Sequence, residues 1–133
     1  MNQNTNKEKR HILVIDDDPT ITGLINTILN KEGYNVCIAN DGIKGVKMAE
    51  EIKPDIILMD ITMPGLDGYE ATEKIKQNPI IRDIPVIFLT GKSASEDGGK
   101  AFAKGGITFM RKPFSAQQLK DLVHLAMESV TIE

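Results

Sequence analysis

The stretch "ILVIDDDPTITGLINTILNKEGYNVCIA" (residues 12–39) holds two kinds of apolar segment side by side. Residues 12–15 and 36–39 are short and almost wholly apolar, the pattern of strands covered on both faces. Between them Ile21, Leu24, Ile25, Ile28 and Leu29 recur at i, i+3, i+4, i+7 and i+8, which lays one apolar stripe along a helix from about residue 19 to residue 32. Its ends are punctuated: Asp18 can cap the first turn, Pro19 suits the first helical position, and Gly33 suits the left-handed residue after the last turn. A strand, a helix and a strand in that order form a βαβ unit, whose strands run parallel.

The same alternation continues along the chain. "IILM" (56–59), "VIFL" (86–89) and "ITFM" (107–110) read as three more strands. A second helix is predicted over residues 41–53, stopped by Pro54, and a third opens at Asp67 with Glu70 placed for a capping box and closes at "QNP" (77–79). Ser93 and Glu96 offer the same box to a fourth, closed by Gly105 and weakened by Gly98 and Gly99, each of which costs about 1 kcal/mol relative to alanine. A fifth starts near Ser115 and carries Leu119, Leu122, Val123 and Ala126 on one face. Five strands alternating with five helices predict an α/β fold, a doubly wound parallel sheet of the flavodoxin-like (βα)5 kind. For five strands in so short a chain the order 2-1-3-4-5 fits better than a six-stranded dinucleotide fold, and ligands then bind beyond the carboxyl ends of strands 1 and 3.

Composition narrows the classes of function. The chain has 133 residues, enough for one domain, which we place at residues 11–130 between a flexible tail at 1–10 and a short tail at 131–133. Sixteen basic and nineteen acidic residues leave a net charge of −3, without the basic field that direct nucleic-acid or membrane-surface binding uses. No apolar run approaches a membrane span and the polar start "MNQNTNKEKRH" lacks the apolar core of a signal peptide, so a cytoplasmic location is expected. Cys37 has no second cysteine to pair with and reads as a small buried strand residue.

Chemistry collects at the predicted carboxyl edge. The first strand ends in Asp16, Asp17 and Asp18, the third in Asp60 and the fourth in Thr90, while Lys112 follows the fifth. With Asp18 used as a helix cap, Asp16, Asp17 and Asp60 converge on neighbouring central strands. Two unit charges about 4 Å apart interact by about 4 kcal/mol at an effective dielectric near 20, so positive charge is required. Lys112 supplies one. The excess of carboxylate oxygens, with no histidine or thiolate, suits a hard cation, and magnesium fits a shallow edge site better than calcium with its six to eight ligands. A carboxylate so neutralised can act as a nucleophile towards phosphorus, forming an acyl phosphate, with Lys112 balancing charge on the phosphoryl oxygens and Thr90 donating a hydrogen bond to the product.

At these residues the sequence resembles the receiver domain of two-component response regulators. "ILVIDDDP", "PDIILMDITMPGLDGYE", "PVIFLTG" and "GGITFMRKPF" stand in the family's order and spacing over roughly residues 11–130. The resemblance, to stand-alone receivers of the chemotaxis-regulator kind in particular, implies that Asp16 and Asp17 are the acidic pair, Asp60 the phosphoacceptor, Thr90 the switch hydroxyl and Lys112 the phosphate-pairing lysine. It implies magnesium held by Asp17, Asp60 and the backbone carbonyl of Thr62, with Asp16 acting through water, and it places Phe109 at the switch aromatic position. Thr62 and Lys92 take the variable positions that help set phosphoryl lifetime. The implied role is that of a signalling phosphoacceptor rather than a dedicated enzyme, charged by a histidine kinase or histidine phosphotransfer protein. It would signal to a downstream protein through a switch on the face of the fourth helix, fifth strand and fifth helix.

Three other readings share parts of this pattern. A flavodoxin-like cofactor binder needs a hydroxyl- and glycine-rich loop where this chain has three aspartates. A haloacid-dehalogenase-like phosphatase needs a second aspartate two residues after the nucleophile, where Thr62 stands. A pseudo-receiver that only scaffolds other proteins would keep the fold without using the site. No linker or effector domain is read after the fifth helix, which points to output by protein binding.

Overall fold

The computed structural model describes residues 10–91 and 108–131, with side chains to residue 128. Five parallel strands, β1 (His11–Ile15), β2 (Asn35–Ala39), β3 (Ile56–Asp60), β4 (Val86–Thr90) and β5 (Thr108–Arg111), form one sheet in the order β2-β1-β3-β4-β5. The helices among the described residues are α1 (Pro19–Lys31), α2 (Gly42–Ile52), α3 (Gly68–Gln77) and α4 (Ala116–Thr131). The fourth helix expected from the sequence, with Gly98 and Gly99, lies outside the described residues, as do most of the N-terminal segment and the last two residues.

Each strand sends alternate side chains to opposite faces, and both faces are buried. Leu13, Ile15, Ile57, Met59, Val86 and Phe88 pack with Ala49 of α2 and Ala71 and Ile75 of α3. Ile12, Val14, Ile56, Leu58, Ile87 and Leu89 pack with Ile25 and Leu29 of α1 and Leu119, Val123 and Ala126 of α4. This double coverage is why β3 and β4 read as continuous apolar runs. It weakens at the edges: Cys37 on β2 is half-buried rather than buried, and Ile38 is exposed. The α1 stripe is narrower than its spacing suggests, for Ile25 and Leu29 are buried while Leu24 is 45% exposed.

Local signals act as expected at most ends. The Asp18 carboxylate accepts from the Thr20 N–H at 2.9 Å, Gly33 has φ +95°, and Asp67 and Glu70 form the complete capping box of α3. Ser115 and Gln118 exchange two hydrogen bonds of the same kind at the start of α4. α2 ends differently, on Lys53 at φ +47°, one residue before Pro54. Arg10, placed in the tail on its polarity, is tied down instead: its carbonyl accepts from the Asn35 N–H at 2.8 Å and its guanidinium meets Asp55 at 3.5 Å. α4 runs to Thr131, one residue into the expected C-terminal tail.

Candidate functional site

The carboxyl ends of β1 and β3 bring three carboxylates together. One oxygen each from Asp16, Asp17 and Asp60 lies within 4.8 Å of the others. Asp16 and Asp60 are buried, at 1% and 5% exposure, and Asp17 is open to solvent. The Asp16 N–H extends the ladder to the Ala39 carbonyl at 3.1 Å, and one Asp16 carboxylate oxygen accepts from the Asp18 N–H at 3.0 Å, which fixes the side chain inside the turn.

Lys112 closes the cluster from the end of β5. Its Nζ donates to Asp16 Oδ2 at 2.9 Å and to Asp60 Oδ1 at 3.2 Å, and its own N–H donates to the Thr90 carbonyl at 2.6 Å. Burial works against the ammonium charge, but the hydrogen bonds and charges of Asp16 and Asp60 outweigh it and hold the Lys112 pKa above its ordinary value. Asp60 is pushed up to about 6, first by burial and then by the Asp16 charge, against the pull of Lys112 and of the Thr62 N–H that donates to its carboxylate. One ammonium therefore does not satisfy the carboxylates gathered here.

Thr90 is buried at the end of β4, one residue beyond the Leu89 that stands opposite Asp60. Phe109 is not part of the carboxylate cluster. It sits on β5 opposite Phe88 and packs, half-buried, into the core on the α2 and α3 side. Strand alternation puts Thr90 on the same face as Phe88, so Phe109 is its diagonal neighbour across the β4–β5 pair.

The site also depends on a residue that the sequence reading passed over. Gly68 opens α3 directly against the end of β3, where a Cβ would meet the Asp60 carbonyl and stand 2.8 Å from Ile61 Cα. The Asp-Gly pair at 67–68 was the available signal, but only its aspartate was read, as a helix cap.

Comparison with known proteins agrees with this geometry. Residues 12–124 match the family described as the response regulator receiver domain. The chain belongs to that family. This receiver is 36% identical over 108 residues, 81% of its length, to the DNA-binding dual master transcriptional regulator RpaA of Synechocystis, covering 45% of that protein. It is 45% identical over 53 residues, 40% of its length, to Protein PilH of Pseudomonas aeruginosa, covering 44% of it. The receiver thus spans less than half the length of the curated relatives it matches. Among solved structures it resembles a putative response regulator from Chloroflexus aurantiacus, with a TM-score of 0.86 at 26% identity over 91% of this chain and 99% of that one. It also resembles the receiver domain of a Pseudomonas aeruginosa sensor histidine kinase, which holds a magnesium ion coordinated in its active site cleft. That match has a TM-score of 0.83 at 32% identity over 90% of this chain and 98% of that one. No described helix is long and apolar enough to cross a membrane.

Proposed function

We propose that this receiver accepts a phosphoryl group on Asp60, in a magnesium-dependent reaction, from the phosphohistidine of a histidine kinase or phosphotransfer protein. The observation that carries the reading is the Lys112 ammonium bridging Asp16 and Asp60, with the Asp17 carboxylate converging on the same point. The donor set is all oxygen and has more negative charge than Lys112 neutralises, which fits a hard divalent cation. Asp17, Asp60 and the Thr62 backbone carbonyl would hold it, with Asp16 through water; when bound, magnesium neutralises charge on the transferring phosphoryl oxygens.

The residues divide the remaining work. An Asp60 carboxylate oxygen forms the new bond to phosphorus as the bond to the donor nitrogen breaks, and the imidazole leaves with the electron pair and is protonated. Lys112, freed from Asp60, pairs with the phosphoryl oxygens. Thr90 donates to the acyl phosphate, and Phe109 moves into the space that the threonine gives up. The output is a protein contact on the face of the segment after Thr90, β5 and α4. RpaA's description as DNA-binding is a property of that longer protein, and we assign this receiver domain no direct nucleic-acid contact.

Incubation with a small acyl phosphate and magnesium, followed by intact mass spectrometry, tests the assignment. One phosphoryl group should be added, and Asp60→Asn should abolish it. An unchanged mass with several donors, or full labelling of Asp60→Asn, would remove Asp60 from its role.

A further inference from the structure

Residues 61–67, which follow Asp60, are gripped by two helices that begin against them with no room for a side chain. A Cβ on Gly68, the first residue of α3, would lie 2.8 Å from Ile61 Cα, well short of the 3.4 Å at which ordinary contact starts. A Cβ on Gly42, the first residue of α2, would lie 2.5 Å from the Leu66 carbonyl oxygen and 3.1 Å from Leu66 Cβ. The Gly68 N–H donates to the Ile61 carbonyl at 2.9 Å, closing the loop on itself, and Gly65 makes the turn at φ +77°.

The strand end cannot yield to relieve a clash. β3 is paired with β1 and β4 and buried along its whole length, and the Ile61 N–H continues the ladder to the Leu89 carbonyl at 3.1 Å. A methyl group at Gly68 or Gly42 therefore displaces the loop and the helix start. Thr62 lies in that loop, and its N–H donates to the Asp60 carboxylate.

We propose that Gly68 and Gly42 are positioning residues for the acceptor, holding residues 61–67 so that the Thr62 backbone addresses the Asp60 carboxylate and the cation bound beside it. The inference rests on the phosphoacceptor reading of Asp60. Gly45 provides the contrast. The three atoms nearest to its Cβ would all belong to the Ile15 side chain, Cδ1 at 2.5 Å, so Gly45→Ala strains the same helix first against the sheet rather than against the loop.

Calorimetric titration with magnesium decides the matter, read beside urea unfolding and acyl phosphate labelling of each variant. Gly68→Ala and Gly42→Ala should raise the magnesium dissociation constant about tenfold or more, as expected when a group supporting a metal ligand is lost, and saturating magnesium should restore labelling. Gly45→Ala should keep the wild-type dissociation constant whatever stability it loses. Wild-type affinity in both loop variants, or a loss no larger than that of Gly45→Ala, overturns the proposal while a labelled wild type upholds the role of Asp60. A wild-type protein that neither binds magnesium nor accepts a phosphoryl group overturns both. Should Gly68→Ala fail to fold, Gly42→Ala, whose nearest contacts are with Leu66, decides the comparison alone.

Discussion

At Lys112, one ammonium serves two buried carboxylates, and this sharing sets how the site responds to pH and to substitution. Asp60 has a pKa of about 6 in the folded chain against an ordinary 3.8, so between these values the folded state binds more protons than the unfolded one. Its contribution to stability is fully present below pH 3.8 and is lost as pH rises through about 6. In chelator the urea midpoint should therefore fall over that window, and Asp60→Asn should flatten the fall. Magnesium should raise the midpoint more at pH 7.5 than at pH 5, because it binds the ionised site. Lys112→Met removes the shared partner and strands two carboxylates, at a cost of about 3 kcal/mol at neutral pH. Urea unfolding should show that loss shrinking towards pH 5 as Asp60 takes up a proton. The convergence of Asp16, Asp17, Asp60 and Lys112 was legible in sequence because each stands at a strand end, and parallel order places those ends on one edge. The two hydrogen bonds donated by Lys112 were not, since they reach residues 96 and 52 positions away through side-chain conformations that no local pattern encodes.

Among the elements, α3 is tied to the sheet at both ends, by Gly68 at its start and by Lys76 in its last turn. The Lys76 ammonium donates to the Arg82 carbonyl at 2.9 Å and the Ile84 carbonyl at 3.0 Å, which fastens the helix to the segment leading into β4. Burial lowers its pKa, yet two backbone acceptors depend on it. Lys76→Met keeps most of the apolar stem and removes both bonds, so it should destabilise by about 1–2 kcal/mol in urea unfolding, without changing magnesium affinity. Nothing in the sequence sets this lysine apart from Lys74 two residues before it. Element ends show the same division. Caps such as Asp18 and Asp67 were legible because their chemistry is local. The start of β1 at His11 and of β2 at Asn35 was not, because these polar residues join the sheet by pairing with each other. The glycines were half legible: Gly33 from its turn, Gly68 and Gly42 only once the fold brings another backbone against them.

For the whole molecule, the sheet joins the acceptor to the proposed output face through two adjacent strands. Thr90 ends β4 beside the acceptor strand, Phe109 stands diagonally from it on β5, and the Lys112 N–H fastens the two strands where they end. A hydrogen bond from Thr90 to a charged acyl phosphate is worth about 1.5–3 kcal/mol. Moving a two-state equilibrium from 1:99 to 99:1 requires about 5.5 kcal/mol, so Thr90 alone shifts the population only in part. In the proposed switch Lys112 would supply much of the rest by exchanging Asp60 for the phosphoryl oxygens. Both contributions enter at the β4–β5 side of the sheet, whereas β2 lies beyond β1 at the opposite edge. Gly98 and Gly99 lie outside the described residues; from the sequence they are expected to weaken a helix there by roughly 2 kcal/mol together, which predicts the largest response in that part of the chain. Hydrogen exchange with and without the phosphoryl group should therefore change mainly within residues 90–110. Thr90→Ala should reduce that change without abolishing labelling of Asp60, because the Lys112 contribution remains. Protection that changed chiefly in α1 and α2, with residues 90–110 constant, would place the output on the opposite side of the sheet and leave Phe109 as a core aromatic.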